Sequence, residues 1–264
     1  VHTSTARKPL ILIAGETLGL GGAEKVTVDL ANALHESGRY RVHVTATLTK
    51  DGLFADHLDD GIDVSLTPRT QALTALVALK KPDGIVLNNC RMAKQCINEM
   101  LHRHTPRYLG FFLHGASKWS MDLLPDVLPD GSEVVTISRE AKAEILAQRP
   151  DIPRSSVGVI TNCVDTKRFR PLEDGELLPE RVWDEPHGPV FGYAGRFSGE
   201  KSLVTMVDVF RRARQRIPDA RLLMVGGADP GVPVYEAYWT AEQGVVEHAV
   251  RRWTLKGPCT SLAR

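Results

Sequence analysis

Short apolar runs alternate with amphipathic stretches almost from one end of the sequence to the other. PLILIAG (9 to 15) is continuous enough to read as a strand buried on both faces. After LGLGG, the segment AEKVTVDLANALHESG sets Val26, Leu30, Ala33 and Leu34 at helical spacing, and Gly38 supplies a stop. YRVHVTATL (40 to 48) is the next strand, followed by a short helix over FADHLDD and the strand IDVSL. The rhythm continues with a helix over 71–80, the strand GIVLN, a helix from Met92 to about His104, and the strand RYLGFFLH (107 to 114). A helical stretch near 118–128, the strand EVVTI, a helix from Ser138 to Gln148 and the strand VGVI complete the series.

Strand-helix alternation of this kind predicts a parallel sheet covered on both faces, a Rossmann-like domain over residues 1–164. Residues 165–189 are polar, rich in proline and without a sustained period, so they read as a linker. The rhythm then restarts with the strand VFGYAG. A helix follows with Leu203, Met206, Val207 and Phe210 on one stripe, then the strand RLLMVGG, a helix within 234–252 and the strand-like TLKGP. Residues 190–264 thus predict a second α/β domain, begun but not finished, and with Val1 in place of a methionine the chain reads as a fragment.

Composition narrows the functional classes. Lys and Arg number 33 against 32 Asp and Glu, and a net charge of +1 gives no basic field of the sort that nucleic-acid binders use. The cysteines, Cys90, Cys96, Cys163 and Cys259, form no CxxC pair and no zinc-like spacing, which favours reduced, mostly buried thiols. Neither a signal peptide nor a long apolar span is present in the sequence given. A cytoplasmic protein is expected, compatible with peripheral contact at the inner membrane surface. RRARQR (211 to 216) reads either as a solvated helix face or as a contact for anionic lipid.

In open parallel sheets ligands collect at the carboxyl ends of strands, and four stretches fall there. GETLGLGGAEK (15 to 25) is either a plain tight turn or a loop whose glycines, Gly19, Gly21 and Gly22, allow positive φ and let an anion approach the amides that open the helix. It is a poor dinucleotide fingerprint, because Glu24 stands where a third glycine belongs and no acidic residue closes TATL; it lacks the GK[ST] of a Walker loop as well. His114 in FFLHGAS is either a partly buried, hydrogen-bonded histidine or a group able to exchange a proton with a bound hydroxyl. In VITNCVDTKRFRP, Asn162 and Asp165 read as turn residues or as part of a ligand site at the junction of the two domains. GYAGRFSGEKS (192 to 202) places Arg196 and Lys201 beside a helix N-terminus, where the macrodipole disfavours cations unless an anion is also bound. Arg196 offers a planar fork, Lys201 a point charge, and Ser198 with the amides of Gly199 and Glu200 can complete a nest; a diphosphate fits such a site. The competing reading is a surface pair between Arg196 and Glu200.

Taken in order, these motifs resemble those of the retaining glycosyltransferases of family four, which have the GT-B architecture of two Rossmann-like domains. GGAEK is similar to that family's first glycine loop, ITNCVDTKRFRP to its NGVD-x-x-x-F-x-P junction, and GYAGRFSGEKS to its G-R-x-x-x-E-K-G donor loop. The resemblance covers nearly the whole chain and implies transfer of a sugar from a nucleotide-diphosphate donor, with retention, to a hydroxyl of a saccharide or lipid-linked saccharide. It implies that Arg196 and Lys201 hold the diphosphate, that Gly21 and Gly22 approach it from the first domain, that Asn162 lies at the donor site, and that His114 stands beside the sugar and acceptor. No cofactor beyond the donor is implied: Arg and Lys take the place of a metal, and the sequence has no DxD triplet.

The sequence departs from the family pattern at three points. Cys163 and Ser202 replace glycines at the junction and the donor loop, two small substitutions expected to be tolerated. The E-x7-E pair expected downstream of Lys201 is missing; Glu16 and Glu24 share its spacing but flank the first glycine loop. A non-catalytic sugar-nucleotide or partner-binding protein is therefore the alternative reading. A nicotinamide-dependent oxidoreductase is disfavoured by the loop and by the missing acidic ribose partner.

Overall fold

The computed structural model describes residues 7–19, 21–49, 54–167, 169–171, 173, 188–195 and 201–225. The chain divides into two compact units, Val1–Arg170 and Pro171–Arg264.

The first unit is built on seven strands, β1 (Leu10–Thr17), β2 (Arg41–Thr49), β3 (Asp63–Leu66), β4 (Gly84–Asn88), β5 (Tyr108–Leu113), β6 (Glu133–Thr136) and β7 (Val157–Val159). They form one sheet in the order β3-β2-β1-β4-β5-β6-β7, with every pairing parallel. The chain builds outward from β1 to β3, returns to lay β4 against the other side of β1, and builds outward again. The point where the order reverses, between β1 and β4, leaves a crevice at the strands' carboxyl ends, since the loops on either side turn away from each other.

Burial on both faces explains why the central strands are apolar without alternation. Leu12 and Ala14 of β1 and Ile85 and Leu87 of β4 enter one core, whereas Ile13 and Val86 enter the other. The first core is closed by Leu73 and Val77 of α2 (Thr70–Lys80), by Ala93, Cys96, Ile97 and Met100 of α3 (Arg91–Arg103), and by Ile145 of α5 (Arg139–Gln148). The second is closed by Val28 and Ala31 of α1 (Gly22–Glu36). Ser138 caps α5 by accepting a hydrogen bond from the Ala141 amide at 3.1 Å, and Gly38 takes the left-handed conformation after α1, with φ +66°.

Several expected details differ. The inward face of α1 is set by Thr27, Val28 and Ala31, with Leu30 and Leu34 beside them, while Ala33 is exposed. The stripe is rotated because Thr27 is buried for a polar reason, described below. FADHLDD forms only a 3-10 turn over Ala55–His57. The stretch near 118–128 is helical only over α4 (Lys118–Met121), since Pro125 and Pro129 deny it further backbone donors. Cys90 and Cys96 are buried, but Cys163 is exposed. Cys259, the residues 174–187 of the expected linker, and the expected helix within 234–252 and TLKGP lie outside the described residues.

The second unit shows β8 (Val190–Ala194) paired in parallel with β9 (Arg221–Val225), joined through α6 (Leu203–Arg216). Leu203, Val207 and Phe210 are buried and Met206 packs partly beneath them, as the stripe predicts. Arg211 pairs with Asp208 at 3.2 Å, and Arg214 donates to the Pro218 carbonyl at 2.8 Å, closing the C-terminus of α6.

Two non-glycine residues hold strained backbone at helix ends. Lys81 ends α2 in the left-handed region, at φ 47° and ψ 61°. That conformation costs a side-chain-bearing residue roughly 1–2 kcal/mol. Ser202, which precedes α6, sits there too, at φ 52° and ψ 41°. The glycine expected at that position thus has a conformational reason, and Ser202 is accommodated at a cost rather than freely. For Lys81→Gly, relief of strain outweighs the roughly 0.5–1 kcal/mol entropic penalty of glycine. A net gain of up to about 1 kcal/mol should appear as a higher denaturant midpoint at unchanged m value.

Candidate functional site

At the reversal of strand order, β1 ends in Glu16 and Thr17 and the chain turns through the glycine loop into α1. The Thr17 hydroxyl organises the turn: it accepts from the Gly19 amide at 3.3 Å and donates to Glu24 Oε1 at 3.1 Å. No side chain caps α1, whose N-cap is Gly21, so the amides of its first turn are left for another acceptor. Gly21 is extended, at φ −176°, and neither Gly19, Gly21 nor Gly22 has a positive φ. A side chain at Gly21 would have to displace the flexible end of Glu24, and no backbone stands in its way. A Cβ on Gly21 would stand 2.1 Å from Glu24 Oε2, because the Glu24 carboxylate lies over that residue, whereas Gly22 faces open space.

Beside this loop, β4 ends in Asn88, which is only 3% exposed. Its Nδ2 donates to the Ala23 carbonyl at 2.8 Å and to Thr27 Oγ1 at 2.7 Å, both on α1. Thr27 itself donates to the Ala23 carbonyl at 3.2 Å. The Asn88 Oδ1 then meets His114 Nε2 at 2.8 Å, at the end of β5. A chain of hydrogen bonds therefore runs from α1 through β4 to the half-buried imidazole. Burial lowers the His114 pKa below its ordinary value, and Glu24 opposes that shift in part. The imidazole is a neutral base in the physiological range.

A second polar group stands at the same end of the sheet. Arg91, the first residue of α3, lies 3.9 Å from Glu16 Oε1, and its guanidinium sits 5.8 Å from the centre of the Trp119 ring, which is 43% exposed. Burial raises the Glu16 pKa, Arg91 counters the rise, and Glu24 adds to it. Cys90, next to Arg91, is a buried thiol pushed up to about 12 by desolvation. It is no nucleophile.

Of the residues singled out from sequence, His114, Gly21 and Gly22 converge here. Asn162 is exposed in the segment after β7. Asp165, in the same segment, accepts from the Lys167 amide at 2.9 Å, so it is a turn residue. Lys201 is exposed just before α6 in the second unit, and Arg196 lies outside the described residues. Sequence reasoning passed over Asn88, Thr27 and Arg91, and it named Glu16 only as flanking the glycine loop. A signal for Asn88 was present: an amide closing the otherwise apolar strand GIVLN has no place in a core unless something pairs with it. Among the described residues, no three His, Cys, Asp or Glu side chains cluster as a metal site, and no helix is long and apolar enough to cross a membrane.

The sheet, its reversal point and the glycine loop define a Rossmann-like α/β domain of GT-B type. The sequence matches the model of Glycosyltransferase Family 4 over residues 20–168, more than half of its length, and the chain belongs to that family. No curated protein sequence matches it. Among solved structures it is similar to the lipopolysaccharide outer core galactosyltransferase WaaB in its apo form, at TM-score 0.54 and 17% identity, over 90% of this chain and 66% of that one. It is also similar to a protein from Listeria monocytogenes assigned as a UDP-N-acetylglucosamine 2-epimerase, at TM-score 0.53 and 13% identity, over 94% of this chain and 66% of that one. The chain thus spans 66% of the length of each of these neighbours. At these identities the likeness is one of fold.

The depressed pKa of His114 has a thermodynamic consequence. The unfolded chain, with an ordinary histidine pKa of 6.5, binds its proton more tightly than the folded one. Stability therefore rises with pH through this window and is lost as pH falls below the unfolded value. His43 is shifted in the same direction, chiefly by burial, and adds to the slope. His114→Gln should flatten, without abolishing, the fall in melting temperature between about pH 7.5 and pH 5. Parallel curves for the two proteins would contradict the assignment.

Proposed function

We propose that this protein transfers a sugar from a nucleotide-diphosphate sugar to a hydroxyl of a saccharide or lipid-linked saccharide, with retention at the anomeric carbon. Family membership supports the reaction class. The observation that carries the reading is the neutral His114 imidazole, tied through Asn88 to the first turn of α1 at the reversal point of the sheet. A base at that position can accept a hydrogen bond from a sugar or acceptor hydroxyl, and the open face at Gly22 admits a ligand close to the backbone. Arg196 and Lys201 supply the positive charge on which the departing diphosphate is stabilised. In this reading the two cations do the work of a divalent metal, offsetting charge that grows as the bond from the anomeric carbon to the diphosphate breaks.

Incubating the protein with radiolabelled sugar nucleotides and saccharide or lipid-linked acceptors tests the proposal directly. Transfer should proceed at an unchanged rate in a metal chelator. Donor binding without transfer to any acceptor would favour the non-catalytic sugar-nucleotide-binding reading. Arg196→Ala should lower kcat by about 100-fold while donor affinity falls much less, because the guanidinium is matched to the charge of the transition state. Equal losses in affinity and in kcat/KM, with kcat unchanged, would assign Arg196 to ground-state binding alone.

A further inference from the structure

The hydrogen bonds around Asn88 fix more than a side-chain position. A backbone carbonyl can only accept, so the Asn88 atom 2.8 Å from the Ala23 oxygen must be its NH2 group. Thr27 spends its own proton on that same carbonyl and offers Asn88 a lone pair, which takes the second N–H of the amide. Both amide protons are then used, and the Asn88 oxygen faces His114 Nε2 at 2.8 Å. An acceptor at that distance requires a proton on Nε2. In the neutral imidazole the lone pair is left on Nδ1, which hydrogen-bonds no described residue.

We propose that Asn88 is a positioning residue that holds His114 as the Nε2–H tautomer and so dedicates Nδ1 to accepting a hydrogen bond from a hydroxyl of the bound sugar. The assignment rests on the proposed transfer reaction only for the identity of that hydroxyl. The tautomer follows from the fold. The register of β4 and β5, which pairs Asn88 with Phe112, and the packing of α1 against β1 bring the three partners together. The imidazole is aimed from behind, by a residue that does not touch the substrate. A carbonyl or phosphate oxygen of a ligand finds no donor at Nδ1, while a hydroxyl finds an acceptor, so the site favours a polyol at this point.

Long-range proton–nitrogen correlation on the 15N-labelled protein reads the tautomer without any substrate, with His114→Gln assigning the signal. The wild type should show a protonated Nε2 and an unprotonated Nδ1, in at least about tenfold excess over the other tautomer, the ratio that one such hydrogen bond sustains. Asn88→Leu should give a mixed population and about a tenfold loss of kcat at little-changed donor KM. If that variant does not fold, Asn88→Ser, which keeps a small polar side chain but lacks the reach, should mix the tautomers in the same way. A wild-type signal with the proton on Nδ1 overturns the proposal, as does the same population in wild type and a folded variant. Failure of sugar transfer with the tautomer as expected would instead remove the reaction and leave the lock in place.

Discussion

One buried amide holds the site in register. Asn88 ends a strand whose other residues are also buried, and an unpaired amide at such a position would cost about 1–3 kcal/mol. From β4 it reaches two other elements: the first two turns of α1, through Ala23 and Thr27, and the end of β5, through His114. Satisfying it therefore fixes the height of α1 against the sheet, the rotation of that helix and the orientation of the imidazole together. Thr27 turns inward for this reason, displacing the helix's apolar stripe so that Ala33 faces solvent. A polar requirement, not the apolar period, sets the angle at which α1 meets the sheet.

The same constraint explains how a general scaffold becomes a specific site. Parallel sheets of this order offer a crevice at the reversal point whatever their sequence, and unrelated chemistries can occupy it. Here the crevice is furnished by a glycine loop whose turn is tied by the Thr17 hydroxyl and by an imidazole kept neutral through burial. Arg91 and Trp119 stand at the same end of the sheet, the guanidinium near both Glu16 and the indole ring. Together they present a planar ring and a guanidinium at the mouth of the crevice.

The architecture of the first unit was legible because it depends on period and run length. Apolar runs such as PLILIAG and GIVLN have no reading but strands covered on both faces, and the amphipathic stretches between them supply the covers. The glycine loop and His114 were legible as well, since a strand's carboxyl end is a local property of sequence. Their mutual geometry was not. The contact between His114 and Asn88 spans 26 positions and that between Asn88 and Thr27 spans 61, and no local pattern announces pairings of that range. The glycines were read as allowing positive φ and close approach to the backbone, yet Gly21 is extended, with the Glu24 carboxylate lying over it. Arg196, the residue on which the electrostatic reading leaned most, lies outside the described residues, and Asn162 is not drawn to the site around His114 by any described contact.

The carboxylate of Glu24 gives the loop an unexpected character. Having folded across Gly21, it already supplies negative charge at the positive end of α1, and Glu16 stands close enough to feel it. A phosphate drifting in alone would meet repulsion where a bare helix terminus would have offered attraction. The mouth of the loop is consequently acidic before any guest arrives, and Arg91, paired with Glu16, is the cation that tempers it.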